Sequence, residues 1–209
     1  RIVLIAHSGA TDYLRNALPK LGNRADRIEA AIIIAPLARS GSIKALLNWL
    51  RPDRTGTNVE RWVRFLGSNV LGVSWFMRNE LALRRVLLAD HVAEHVVEMV
   101  RRQIDECPWG RYFLSLCRYP AWLQPVRTPL KDFGIAHGLL LHPEYDRNFT
   151  EAQQRGTAEG FEAEFDILPG TCHQWFADPA SFEVSSQRML HWLREKGIIP
   201  SSSEEDFGM

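Results

Sequence analysis

Cysteine is scarce: Cys107, Cys117 and Cys172 are too few and too unevenly spaced for a disulfide framework or a zinc site, so all three are read as free thiols. Net charge is missing too, with 25 Lys and Arg against 25 Asp and Glu, which removes the electrostatic footprint of a nucleic-acid binder or an acidic tail. No apolar run approaches the roughly 20 residues of a membrane helix. The first run, Ile2 to Ile5, is too short and wrongly flanked for a signal peptide, so no membrane span is expected and cytoplasm is the default compartment. What the chain does have is apolar mass. Hydrophobic residues make up 45% of 209 positions, enough for one domain of ordinary size or a core with an insertion.

The opening stretch organises the rest. Ile2 to Ile5 breaks off into Ala6-His7-Ser8-Gly9-Ala10, and Leu14, Leu18 and Leu21 then recur at helical spacing, so the segment reads strand, sharp turn, helix. A serine at the apex of such a turn is held exposed, and small residues two before and two after it, here Ala6 and Ala10, let strand and helix pass closely. Next comes Ala30-Ala31-Ile32-Ile33-Ile34-Ala35, an unalternated run that suits a parallel strand covered on both faces. Together they form a βαβ unit.

From Ala38 to about Thr128 the strand pattern gives way to helical periods, including one long amphipathic helix expected from Glu80 to Glu106. Five of the seven tryptophans (Trp49, Trp62, Trp75, Trp109, Trp122) fall here, either as ordinary helical core or as the lining of a pocket. Strands return at His137 to His142 and at Glu162 to Leu168, separated by a helix from Glu151 to about Gly160. A final helix from Pro179 to Lys196 is stopped by Gly197.

Four stretches carry a resemblance to the α/β-hydrolase superfamily. Ala6-His7-Ser8-Gly9-Ala10 resembles its nucleophile elbow, usually G-x-S-x-G, with alanine at both flanking positions. Leu140 to Arg147 is similar to the acid turn, with Pro143 where glycine is common, and Leu168 to His173 to the histidine loop, with Cys172 in a frequent glycine position. The closing Trp192 to Gly197 resembles the terminal helix. The implied fold is α/β: a parallel half-sheet of about four strands with flanking helices, residues 1–38 and 129–209 forming a partial core and 39–128 a helical cap. Because the chain begins at Arg1 inside a strand of central character, the resemblance also implies that N-terminal strands are missing, and with them the second oxyanion-hole donor.

The order Ser8, Asp146, His173 is the superfamily order of nucleophile, acid and base. The resemblance therefore assigns Ser8 the attack, His173 the removal of its proton, Asp146 the support of the resulting imidazolium, and the Gly9 amide one place in the oxyanion hole. His7, Trp49, Trp62, Trp75 and Trp175 are the expected substrate-binding residues. The implied activity is cleavage of a small-molecule carboxylic ester or thioester with a hydrophobic acyl or aromatic group, without metal or cofactor; a homodimer is compatible with it. Amide or peptide hydrolysis and acyl transfer use the same triad, and a binding protein that keeps the fold without turnover is the alternative from another class.

Other readings of single residues stay open. Asp146 can be a plain turn aspartate, His173 a loop histidine, and Glu144 is a fallback acid. His91-Val92-Ala93-Glu94-His95 spells H-x-x-E-H, which on one helical face resembles an inverted zinc-protease motif. It has no evident third ligand, and metal is not expected.

Overall fold

The computed structural model describes residues 1–36, 83–84, 88–106, 127–146 and 149–201. Four strands, β1 (Ile2–His7), β2 (Ile28–Ile34), β3 (His137–Pro143) and β4 (Glu164–Leu168), form one sheet in the order β1-β2-β3-β4. Every neighbouring pair is parallel. Parallel neighbours cannot be joined by tight turns, and helices make the crossovers: α1 (Ala10–Leu21) between β1 and β2, and α3 (Glu151–Phe161) between β3 and β4. The helix α2 (Glu94–Glu106) lies between β2 and β3 in sequence, and α4 (Pro179–Glu195) follows β4.

Alternation along the central strands divides the core into two layers. Ala31, Ile33 and Leu140 pack with Leu18 of α1 and with Ala158 and Phe161 of α3. Ala30, Ile32, Ile34, Leu139 and Leu141 point the other way, onto Met189, Trp192 and Leu193 of α4. That two-sided burial explains why β2 and β3 read as continuous apolar runs. Each fully buried leucine or isoleucine contributes about 1.5–3 kcal/mol relative to exposure, so these two strands dominate the hydrophobic stabilisation of the sheet. β1 pairs with β2 alone among the described residues, leaving Ile2 and Ile5 exposed at the sheet edge, Ile5 by 57%.

Local chemistry sets the helix ends. Thr150 and Gln153 form a reciprocal capping box at α3. Asp178 accepts from the Ser181 amide at the start of α4, where Pro179 takes the first turn, a position that needs no amide hydrogen. At its other end Gly197, at φ 67°, lets its own amide reach the Arg194 carbonyl and that of Ile198 reach Leu193, the double bond that terminates a helix on glycine.

The single long helix expected from Glu80 to Glu106 is not what the described residues form. Residues 88–93 turn, with the Leu88 amide bonded to the Leu83 carbonyl and the Val92 amide to Ala89, and α2 begins only at Glu94. The apolar spacing runs through the turn because Leu88, Ala89 and Val92 are buried there in the same cluster as Val96, Val97 and Val100. Periodicity records which residues face inward, and here a turn satisfies it as well as a helix. Trp49, Trp62, Trp75, Trp109 and Trp122 lie outside the described residues. Of the helices that are described, none is long and apolar enough to cross a membrane.

Candidate active site

Parallel strands deliver their carboxyl ends to one edge of the sheet, and the residues singled out in the sequence follow those ends. Ser8 comes directly after β1, in the two-residue link to α1. Its φ is 51°, a left-handed conformation that a non-glycine residue adopts at a cost. Backbone bonds hold it there: its amide donates to the Ile34 carbonyl at 3.0 Å, and its carbonyl accepts from the Thr11 amide at 3.2 Å. Gly9 is the N-terminal cap of α1 and is buried, which puts the first amides of a helix beside the serine.

His173 reaches this serine from the loop after β4. Its Nε2 lies 3.1 Å from Ser8 Oγ and its Nδ1 3.0 Å from Asp146 Oδ2, while both the histidine and the aspartate are buried. A carboxylate only accepts, so Nδ1 carries the proton and Nε2 is left to accept from the Ser8 hydroxyl. Hydroxyl, imidazole and carboxylate thus stand in one line of two hydrogen bonds. The arrangement can withdraw a proton from Ser8 and stabilise the cation formed on His173.

Two backbone bonds and one side chain tie the turn after β3 to the loop after β4. Tyr145 donates its amide to the Thr171 carbonyl at 2.9 Å, Glu144 its amide to Leu168 at 3.0 Å, and the Gly170 amide donates to Glu144 Oε2 at 2.8 Å. Glu144, the fallback acid, is therefore exposed and occupied in closing the loop, while the buried Asp146 is the carboxylate on His173. Cys172 beside His173 is fully buried, and burial pushes its thiol up to about 11, away from any nucleophilic role.

Residues expected to contact substrate divide. Trp49, Trp62 and Trp75 lie outside the described residues. Trp175 is buried in the core layer with Met189 and Trp192, its ring stacked on Phe182 at 5.9 Å. His7 is half-buried, and its Nε2 donates to the backbone carbonyl of His173 at 2.8 Å, a contact that sequence reasoning missed. A hydrogen bond spanning 166 positions leaves no local signal. The cluster of α2 closes one flank, since Val92, Val96, Val97 and Val100 share their buried surface with Cys172 and Ala177, on either side of His173 in sequence.

His91, Glu94 and His95 do not share a helical face. His91 sits in the turn before α2 with its ring 5.4 Å from that of Tyr145, and Glu94 is paired with Arg84. Among the described residues no three His, Cys, Asp or Glu side chains are grouped to hold a metal ion.

No protein-family profile matches this sequence, and neither does any curated protein. Among solved structures it is similar to a malate-bound thermophilic esterase from Thermogutta terrifontis, at 18% identity and a TM-score of 0.48 over 93% of this chain. The chain spans 65% of the length of that esterase.

Proposed function

We propose that this chain is a serine hydrolase of the α/β-hydrolase type, cleaving a carboxylic ester or thioester with a hydrophobic acyl or aromatic group through an acyl-enzyme. The observation that carries the reading is the conjunction at Ser8: a strained serine in a strand-to-helix link, its hydroxyl 3.1 Å from the Nε2 of a histidine whose Nδ1 meets a buried carboxylate. Strain of this kind persists only where surrounding structure enforces it, and it concentrates at reacting groups. In the reaction Ser8 Oγ attacks the carbonyl carbon as its proton passes to His173 Nε2, and the tetrahedral intermediate expels the alcohol or thiol, which takes that proton. Water, deprotonated by the same nitrogen, then releases the acid and restores Ser8. The Gly9 amide is read as one oxyanion donor.

Residues 39–128 are read as a cap that selects the acyl group. Its support is the apolar face of α2 packed against the loop that bears His173.

Labelling with a fluorophosphonate tests the reading. The probe should modify the protein stoichiometrically, with the mass increment on the peptide that contains Ser8, and leave Ser8→Ala untouched. An unlabelled wild-type protein, or an equally labelled Ser8→Ala variant, removes the serine from the mechanism.

A further inference from the structure

We infer that His7 is a positioning residue for the hydrolase reading above: its ring Nε2–H, donated to the main-chain carbonyl of His173, sets where the His173 ring stands relative to Ser8. The inference rests on that reading, and on three observations. The bond is short, 2.8 Å, and it ends on the backbone of the base and not on its side chain, so it fixes the loop while leaving both ring nitrogens of His173 free for Ser8 and Asp146. The two rings lie 5.0 Å apart at 52°, and Phe176 closes on His7 edge-on at 5.3 Å, so the His7 imidazole is wedged between the base and an aromatic from the same loop. His7 is also the immediate neighbour of Ser8. One rigid dipeptide therefore carries the nucleophile and the strut that holds its base.

The protonation state suits the role. A carbonyl only accepts, so Nε2 must keep its hydrogen. Burial, and after it the nearby His173 ring, push His7 down to about 4 against the opposing pull of its bond to the His173 carbonyl and of Asp146, so it is neutral at neutral pH. A permanent charge beside His173 would discourage the imidazolium that catalysis forms there. A neutral strut does not.

Two measurements on the full chain separate this inference from the hydrolase reading. In the first, long-range proton–nitrogen spectra of histidine-labelled protein, with His7 assigned by its loss in His7→Gln, should show the Nε2–H tautomer, gaining charge only on approach to about pH 4. A Nδ1–H tautomer overturns the contact whether or not the protein is a hydrolase, and a midpoint at the free histidine value of about 6.5 overturns the neutral state of the strut. In the second, fluorophosphonate labelling rates and aryl-ester kinetics are compared in wild type, His7→Phe and His7→Gln. Loss of the donor in His7→Phe should lower kcat and the labelling rate about 10-fold with KM unchanged, the scale of one ordinary hydrogen bond. His7→Gln, whose side-chain amide reaches the same carbonyl, should recover most of that loss. Equal losses in both variants, no loss in His7→Phe, or a change confined to KM overturns the positioning role, the last result marking a substrate contact instead. An unlabelled wild type overturns the hydrolase reading and the role together, and the spectra then report whether the strut exists.

Discussion

Exchanging Ser8 for glycine and, separately, for alanine isolates the strain at the turn. Both substitutions remove the hydroxyl and its 3.1 Å bond to His173, so that loss cancels between them and only the backbone differs. At φ 51° alanine keeps the clash of its Cβ with the following carbonyl, worth about 1–2 kcal/mol, whereas glycine has none. Against this, glycine has more freedom to lose on folding, which costs it roughly 0.4–1 kcal/mol. The balance makes Ser8→Gly more stable than Ser8→Ala by about 0.5–1 kcal/mol, the reverse of the order seen in ordinary helices and strands. For a chain of this size that is a difference of about 2 °C in Tm. Urea midpoints of the two variants, measured in parallel, resolve it. Turnover should be lost in both, by about 10⁴-fold or more, so the two variants are separated by stability and not by activity. If Ser8→Ala equals or exceeds Ser8→Gly in stability, residue 8 is not held left-handed and the turn is not the device described.

Two further outcomes follow from the site. Asp146→Asn should depress the aryl-ester rate by as much as about 10⁴-fold while Glu144→Gln, which keeps an acceptor for the Gly170 amide, should leave kcat nearly unchanged; the opposite ranking would assign the acid to Glu144. Stability should fall as pH drops from about 6.5 toward about 4, because unfolded His7 binds a proton that folded His7, pushed down by burial, refuses, and His142 is lowered by burial in the same direction. Each such histidine contributes a slope of up to about 1.4 kcal/mol per pH unit, present in full above the unfolded value and lost through the folded one. Urea midpoints across that window should fall less steeply in His7→Gln than in wild type, and parallel curves would show that His7 is charged in the folded protein.

How much of this was legible follows from what burial does to sequence. Ala30 to Ala35 and His137 to His142 announced themselves as strands because both faces of β2 and β3 are covered, which leaves Ala30 to Ala35 and Leu139 to Leu141 wholly apolar. The helices α3 and α4 were readable to within a residue or two, α4 from Pro179 and Gly197, whose chemistry is local. The Ser8 turn was readable through its small neighbours, though φ itself is not written in any residue type when serine, not glycine, takes the left-handed place. The break at residues 88–93 was illegible because Leu88 and Val92 are as buried in a turn as they would be in a helix. The role of Glu144 was hidden for another reason: its partner is a backbone amide, which every residue except proline offers.

The same backbone partners explain how a site drawn from three distant loops keeps its spacing. Ser8, Asp146 and His173 each follow a different strand, and the ladders β1-β2-β3-β4 fix only where those strands end. A loop after a strand end can still sway by more than the margin a proton transfer allows, since a misplacement of about 1 Å is enough to cost about 10²-fold in rate. The histidine loop is therefore secured from both neighbours. On the Asp146 side Glu144 and Tyr145 bond its backbone at Leu168, Gly170 and Thr171; on the Ser8 side His7 bonds it at His173. None of these bonds uses a side-chain atom of Ser8, His173 or Asp146. Main-chain attachment is what makes that separation workable, because a loop held by its backbone leaves the ring nitrogens of His173 free for Ser8 and Asp146. Weakening one tether should then displace His173 along the direction of that tether alone: loss of the His7 bond moves it relative to Ser8, whereas loss of the Glu144 acceptor, as in Glu144→Ala, moves it relative to Asp146.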